Sequence, residues 1–389
     1  MDLAQTIDQI GRNAQGASHV LARVSTVQKD QALRAGADQI EREIEEILSA
    51  NSADLEAAKS LGVAMLDRLR LDRDRLNKIA ESVRCVAELK DPVGEILKQW
   101  ERPNGLKIAK VRVPIGVIAI IYESRPNVTI DAASLCLKTG NAVILRGGSE
   151  AAGSNAALAA AFQRGYVSAG LPDYSVQLVP GTDRAAIPLL AQMDRYLHLI
   201  IPRGGKALIE TVAASARVPV IKHFDGVCHL YVDDGADLQM AEDIVLNAKC
   251  QRPGVCNAIE TLLVHADIAL DFLPRCAATL WKHGVELRGD EITQRILGAC
   301  VKPATEADWA AEYLDLILSV RVVSTLDDAI GHIETYGSHH SDSIVTSNPE
   351  AAEKFLRSVD SAVVFWNAST RFNDGGEFGF GAEIGISTD

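Results

Sequence analysis

No stretch of the 389-residue sequence approaches the roughly 20 consecutive apolar residues of a bilayer-spanning helix; the longest apolar run, Val117 to Tyr122, is only strand-length. The opening MDLAQTIDQIGRN lacks the apolar core of a secretory signal. No Lys/Arg-rich block is present and the formal net charge is −13. Such a field repels nucleic acid and anionic lipid, so neither nucleic acid nor a membrane is expected as a partner. An anionic substrate then requires a local basic cluster set against the global charge. The seven cysteines are odd in number and contain no C-x-x-C pair. This excludes a disulfide framework and points to free thiols in a reducing, cytoplasmic compartment. Metal-ligand spacing is absent as well. His339-His340 with Asp342 is the one local cluster, and because adjacent side chains diverge it reads as an exposed or hydrogen-bonded pair, with no metal expected. The dinucleotide fingerprint G-x-G-x-x-G and the P-loop are both missing, as are internal repeats and low-complexity tracts.

What remains is an ordinary globular composition, 47% hydrophobic and 23% charged, which excludes disorder. The length predicts two or three domains. Residues 1 to about 95 read as helices from spacings such as Ile40, Ile44 and Ile47, with breaks expected at Asn51-Ser52 and at Pro92-Val93-Gly94. Between Trp100 and Val113, the Asn104-Gly105 turn predicts a β-hairpin projecting from the body. From Gly116 onward, strands and helices alternate. Strands are predicted at Val117–Tyr122, Ala142–Leu145, Val176–Val179, Leu197–Ile201 and Val218–Ile221. Helices are predicted near 129–138, 152–168, 184–193 and 205–216. Such alternation builds an α/β, doubly wound parallel sheet whose ligands bind at the C-terminal ends of the strands. A second strand-helix series begins at Leu230, continues through helix 237–249 and strand Thr261–Val264, and places a domain boundary near Phe224-Asp225-Gly226. Arg371 to Asp389 is glycine-rich and aromatic and reads as an ordered loop.

Four segments carry residues suited to chemistry. Arg146-Gly147-Gly148-Ser149-Glu150 lies between a strand and a helix, where glycines admit a phosphate and Arg146 adds a planar cation. Pro202-Arg203-Gly204-Gly205-Lys206 repeats this pattern, and two such turns favour a large phosphate-bearing cofactor over plain surface turns. Cys256, in Gln251-Arg252-Pro253-Gly254-Val255-Cys256-Asn257, sits in a Pro-Gly loop and is the candidate nucleophile, with Arg252 able to favour its thiolate; the competing reading is a cysteine that merely packs. Tyr122-Glu123-Ser124-Arg125-Pro126-Asn127 crowds polar residues at a strand end, where Asn127 serves either as an oxyanion donor or as a cap for helix 129–138, with Thr129 sharing the cap.

These blocks, together with Val113-Pro-Ile-Gly-Val117, Tyr336-Gly-Ser-His-His-Ser-Asp342 and Phe378-Gly-Phe-Gly-Ala-Glu383, resemble the γ-glutamyl phosphate reductase family, a branch of the aldehyde dehydrogenase superfamily, over nearly the whole chain. The resemblance implies an aldehyde-dehydrogenase-like fold. It implies an NADP(H)-binding domain over 1–225 with an oligomerisation hairpin at 99–113, a catalytic domain over 226–375 bearing Cys256, and a glycine-rich segment over 376–389. It implies NADPH-dependent reduction of γ-glutamyl 5-phosphate in proline biosynthesis through a Cys256 thioester. By position, Asn127 or Arg125 falls near the superfamily's oxyanion asparagine, Arg146 beside the adenosine ribose, and Glu312 at the nicotinamide ribose. Arg125, Lys222, His223 and Arg252 are the candidate substrate-binding residues. A homo-oligomer is implied, and contact with the upstream glutamate kinase.

The sequence departs from the superfamily pattern in placing His223 where hydrolytic members carry a general-base glutamate. This disfavours the alternative enzyme, a hydrolytic aldehyde dehydrogenase acting on another semialdehyde. The family pattern also continues past Thr388 with a short tail implicated in dimer contacts. A non-catalytic binding protein and a Cys-His hydrolase are further alternatives, and NADPH binding with turnover separates them from the reductase.

Overall fold

A computed structural model describes residues 2–123, 125–222 and 224–388. The chain divides into two compact units, Met1–Ile221 and Lys222–Asp389, so the division lies slightly before the expected boundary at 224–226.

The first unit opens with five helices, α1 (Leu3–Leu21), α2 (Thr26–Arg42), α3 (Ile44–Ala57), α4 (Val63–Leu69) and α5 (Arg73–Glu88). In α5 the apolar stripe Leu76, Ile79, Ala80, Val83, Val86 and Ala87 is buried while charged residues face water. Asn51-Ser52 does not break a helix as expected but lies inside α3. Asn51 is buried, and its amide donates to the Leu69 carbonyl and Ser154 Oγ while its oxygen accepts from the Leu71 N–H. Tertiary partners thus satisfy a side chain that would otherwise compete with the helix backbone. Strands β1 (Ile96–Glu101) and β2 (Lys107–Val111) form an antiparallel ribbon joined through Gly105, whose φ of +84° suits glycine.

A parallel sheet follows, built from β3 (Val117–Tyr122), β4 (Ala142–Arg146), β5 (Val176–Leu178) and β6 (Leu199–Arg203) in the order β5-β4-β3-β6. Its helices are α6 (Asn127–Lys138), α7 (Ala152–Ser168), α8 (Ala186–Ala191) and α9 (Lys206–Ser215). Every residue of β3 is buried, as a strand covered on both faces requires. The strand expected over 218–221 does not form; only Val220 bridges to Ile200. Pro219 has no N–H to donate, which limits the pairing to single bonds at Ile200 N and Ile221 N.

The second unit is another parallel sheet, of β7 (Cys228–Val232), β8 (Ile259–His265), β9 (Glu286–Gly289), β10 (Lys302–Pro303), β11 (Ile317–Val323), β12 (Ser341–Val345) and β13 (Val363–Trp366). Their order is β10-β9-β11-β8-β7-β12-β13. Helices α10 (Leu238–Cys250), α11 (Ala266–Lys282), α12 (Glu291–Leu297), α13 (Glu306–Trp309), α14 (Leu326–Tyr336) and α15 (Pro349–Ser358) alternate with the strands. Asp237 accepts the N–H groups of Gln239 and Met240, which fixes the start of α10 and so aims its far end at the 251–258 loop. After β13 the described chain has only a short 3₁₀ turn, Thr370–Phe372. Among the described residues no helix is long and apolar enough to cross a membrane.

Candidate active site

In the first unit the polar residues gather at the C-terminal ends of β3, β4 and β6. Arg146 closes β4 and is buried; its Nη1 donates to the Gly147 carbonyl at 2.5 Å and its Nη2 to the Thr182 carbonyl at 3.0 Å. Burial pulls this guanidinium below its ordinary value, Glu150 opposes that, and Arg184 close by adds to it. A Cβ on Gly147 would lie 2.2 Å from Asn155 Nδ2, so only glycine lets the chain pass this buried amide. Asn155 in turn accepts from Thr129 Oγ1, which pairs with the Tyr122 hydroxyl. Gly148 then starts the 3₁₀ turn Ser149–Ala151, and Ser149 Oγ donates to Glu150 at 3.4 Å.

The second glycine-basic turn behaves differently from the expectation of a phosphate cradle. Glu123 Oε2 accepts the Gly205 N–H at 2.9 Å, and a Cβ on Gly204 would lie 2.5 Å from the same oxygen. The start of α9 therefore already holds an anion of the protein's own, and a phosphate would have to displace it. Among the described residues, the hydrogen bonds of the Arg146 guanidinium go to the carbonyls of Gly147, Thr182 and Asp183; with Arg184 nearby the turn fits a phosphate-bearing cofactor by charge. Neither Asn127 nor Thr129 caps the helix as read from the sequence. Helix α6 begins at Asn127 with Pro126 at the cap position, and Asn127 Nδ2 donates to Asp131 at 2.8 Å. Arg125 is exposed beside it.

In the second unit Cys256 lies in a tight turn closed by the Ala258 N–H on the Val255 carbonyl at 3.1 Å. The stem of its loop is clamped by a fully buried ion pair. Lys249 Nζ, in the last turn of α10, donates to Glu260 Oε2 at 2.6 Å and to the Ile259 carbonyl at 3.0 Å. Burial pushes Glu260 up to about 7 and pulls Lys249 down, while the attraction within the pair opposes both shifts. Glu260 Oε1 also accepts the N–H of Leu314, a non-glycine residue at φ +53°. Gly226 runs directly beneath the cysteine; a Cβ there would lie 2.1 Å from the Cys256 carbonyl oxygen and 2.6 Å from its Cα. The Gly226 N–H donates to Glu312 Oε1 at 2.9 Å, and the Cys228 thiol donates to the Cys256 carbonyl at 3.1 Å. Burial pushes Cys136 up to about 12 and raises Cys228, Cys250 and Cys276, so none of these is a ready thiolate.

The residue after Cys256 is fastened on every side. Thr370 Oγ1 donates to the Asn257 carbonyl, Asn257 Nδ2 donates to the Asn373 carbonyl, and Arg371 Nη1 donates to Asn257 Oδ1. Arg252 is exposed on the same loop. Lys222 stands over the Phe224 ring at 5.8 Å, and His223 lies outside the described residues. His339 and His340 diverge: the first meets the Asp360 carbonyl, the second Ser341 Oγ at 2.8 Å, while Asp342 binds His229 instead. The sequence marks the cysteine loop and the Arg146 turn as candidates; it names Glu123 only within a polar strand end and Gly226 only at a domain boundary, and it assigns no role to Glu260 or Arg371. Arg371 leaves a trace as an arginine inside a glycine-rich aromatic segment, whereas nothing local distinguishes Glu260.

Two parallel α/β units, one with a basic glycine turn and one with a cysteine held in a strand-end loop, are the architecture of the aldehyde dehydrogenase class. The sequence profile of the aldehyde dehydrogenase family matches residues 2–315, and the chain belongs to that family. An acetylating aldehyde dehydrogenase from Geobacillus thermoglucosidasius, 17% identical, shares the fold with a TM-score of 0.66 over 96% of this chain and 88% of its own. Within the family the chain groups with the γ-glutamyl phosphate reductases, which are oxidoreductases. It is 55% identical to that protein of Moorella thermoacetica over 100% of this chain and 93% of the relative. A crystal structure of γ-glutamyl phosphate reductase from Thermotoga maritima is 47% identical and superposes with a TM-score of 0.96 over 98% of this chain and 93% of that one.

Proposed function

We propose that this chain reduces γ-glutamyl 5-phosphate to glutamate 5-semialdehyde and inorganic phosphate, with NADPH as the reductant. The observation that carries the reading is the full-length identity of 55% to a γ-glutamyl phosphate reductase, combined with Cys256 held in its clamped loop. The Cys256 thiolate attacks the acyl carbon; the S–C bond forms, the C–O bond to phosphorus breaks, and phosphate departs with the electron pair. Asn127 or Arg125 stabilises the oxyanion of that step. A nicotinamide cofactor, which Arg146 and Glu312 would hold, would supply the hydride that reduces the acyl carbon. The resulting thiohemiacetal collapses, its C–S bond breaking to free the aldehyde and restore the thiolate.

Arg146 supports the choice of NADPH because a buried cation at the glycine turn suits an extra phosphate. Glu312, beside Gly226, is assigned to the nicotinamide ribose by its position in the family pattern. Arg252, Lys222 and His223 are assigned to the phosphoryl group. The exposed β1–β2 ribbon, with Ile96, Leu97 and Trp100 open to solvent, supports a homo-oligomer. The test runs the reaction backwards, with glutamate 5-semialdehyde and NADP⁺. Turnover should require inorganic phosphate or arsenate, and without either, NADPH should stop near one equivalent per Cys256. Steady turnover in phosphate-free buffer, with glutamate accumulating, would make water the acceptor and assign the chain to hydrolytic aldehyde oxidation.

A further inference from the structure

Arg371 is a cation that the protein holds in place through hydrogen bonds to neutral groups rather than through an ion pair. Its Nε donates to Gln251 Oε1 at 2.8 Å and its Nη1 to Asn257 Oδ1, both neutral amides. Among the described residues no carboxylate lies within ion-pair distance of it, and Nη2 meets no protein acceptor. The side chain is partly buried; a second guanidinium, Arg252, acts against its charge, while the Asp374 and Glu377 carboxylates and Cys256 act in favour of it. Two like charges beside one another raise the energy of the unliganded protein, Asp374 and Glu377 offset part of that without pairing to Arg371, and an anion that lies against the guanidinium groups relieves more of it.

The anchoring carries a second message. Asn257 directly follows the nucleophile, and Thr370, Arg371 and Asn373 all bond to it. The distance from guanidinium to sulfur is therefore set by the fold rather than by a mobile side chain. A cation held in register with the nucleophile measures length along the substrate, and a planar fork suits a carboxylate. In the proposed sequence phosphate leaves in the first half-reaction, whereas the glutamyl chain stays on Cys256 until hydride arrives. A permanently anchored cation matches the part that stays.

From this we infer that Arg371 binds the α-carboxylate of the substrate and selects its chain length; the inference rests on the function proposed above. The test compares wild type, Arg371→Gln and Arg371→Lys in the oxidative direction, with glutamate 5-semialdehyde and with 4-aminobutanal, which lacks only the carboxylate. Arg371→Gln should lower kcat/KM for the semialdehyde roughly 10- to 100-fold, mainly through KM, and leave 4-aminobutanal and the KM for phosphate nearly unchanged. Arg371→Lys should recover part of the loss, because it keeps the charge without the fork. Equal losses on both aldehydes would mean that Arg371 only supports the loop and would overturn the inference. A rise confined to the KM for phosphate would overturn it too, by assigning the cation to the phosphoryl group. Wild type inactive on the semialdehyde would remove the proposed function and this inference together, whereas active wild type with an unchanged preference in the variants removes this inference alone.

Discussion

Gly226→Ala tests whether backbone packing positions Cys256, the nucleophile proposed above. The added Cβ would stand 2.6 Å from the Cys256 Cα and 2.7 Å from its carbonyl carbon. Carbon atoms pack best about 3.5–4.0 Å apart, so the turn must retreat by about 1 Å. It cannot do so freely, because Asn257 is bonded to 370–373 and the stem is clamped by Lys249 and Glu260. Overpacking of this kind costs about 1–3 kcal/mol of stability. A displacement of about 1 Å at a reacting atom lowers the rate on the order of 100-fold. The assay is oxidation of glutamate 5-semialdehyde by NADP⁺ with phosphate present, alongside a thermal denaturation curve and NADPH binding. We expect kcat to fall about 100-fold, NADPH binding to persist, and the melting temperature to fall by a few degrees. Gly331→Ala is the control, since no atom lies within 4 Å of its new Cβ and alanine is favoured within α14. A Gly226→Ala enzyme with near-wild-type kcat would refute the reasoning.

Cys256→Ala should abolish turnover while NADPH still binds, whereas Cys85→Ser and Cys300→Ser, at exposed positions, should retain activity; appreciable steady-state turnover by Cys256→Ala rules out the thioester. Arg146→Ala should weaken NADPH roughly 10- to 100-fold and NADH much less, measured by titrating each cofactor; equal losses would assign the guanidinium to the Thr182 and Asp183 carbonyls it already binds. Asp308 is a test of acid stability. Burial alone would raise its carboxyl, but hydrogen bonds from Thr305 and the Arg288 guanidinium win and hold it below the ordinary range. A depressed carboxyl stabilises the fold above its unfolded pKa of about 3.9 and loses that contribution as pH falls. Asp308→Asn should therefore cost roughly 1.5–3 kcal/mol at neutral pH, and the gap from wild type should narrow below about pH 4. Urea midpoints across that range decide it, and a gap independent of pH would contradict the assignment.

Strands covered on both faces were the easiest part of the molecule to read. Val117–Tyr122 is an unbroken apolar run, and burial of every residue leaves nothing else for it to be. Val218–Ile221 looks equally apolar, yet Pro219 at its centre removes the donor a ladder needs, so composition misled where backbone chemistry decides. Asn51 misled in the opposite sense, because its partners Leu69, Leu71 and Ser154 lie elsewhere in the chain and no local pattern announces them. The site divides the same way. Cys256 and Arg146 were visible because glycine and proline mark their turns. Glu260, Gly226 and Arg371 act through contacts many residues distant in sequence, with Leu314, Cys256 and Asn257 respectively, and only the folded chain brings these together.

The β1–β2 ribbon sets exposed apolar side chains against charge. Two strands alone have two open edges, and an exposed edge lined with Ile96, Leu97, Trp100, Leu106 and Val111 is a template for self-association into insoluble material. The sequence interrupts that template with charge: Lys98, Lys107 and Lys110 occupy the same ribbon, with Lys98 over the Trp100 ring, and Arg112 pairs with Glu95 at its base. Every further strand that docks edge-on would have to bury those ammonium groups, whose desolvation opposes unlimited growth. The lysines thus act as gatekeepers against open-ended edge pairing along the ribbon.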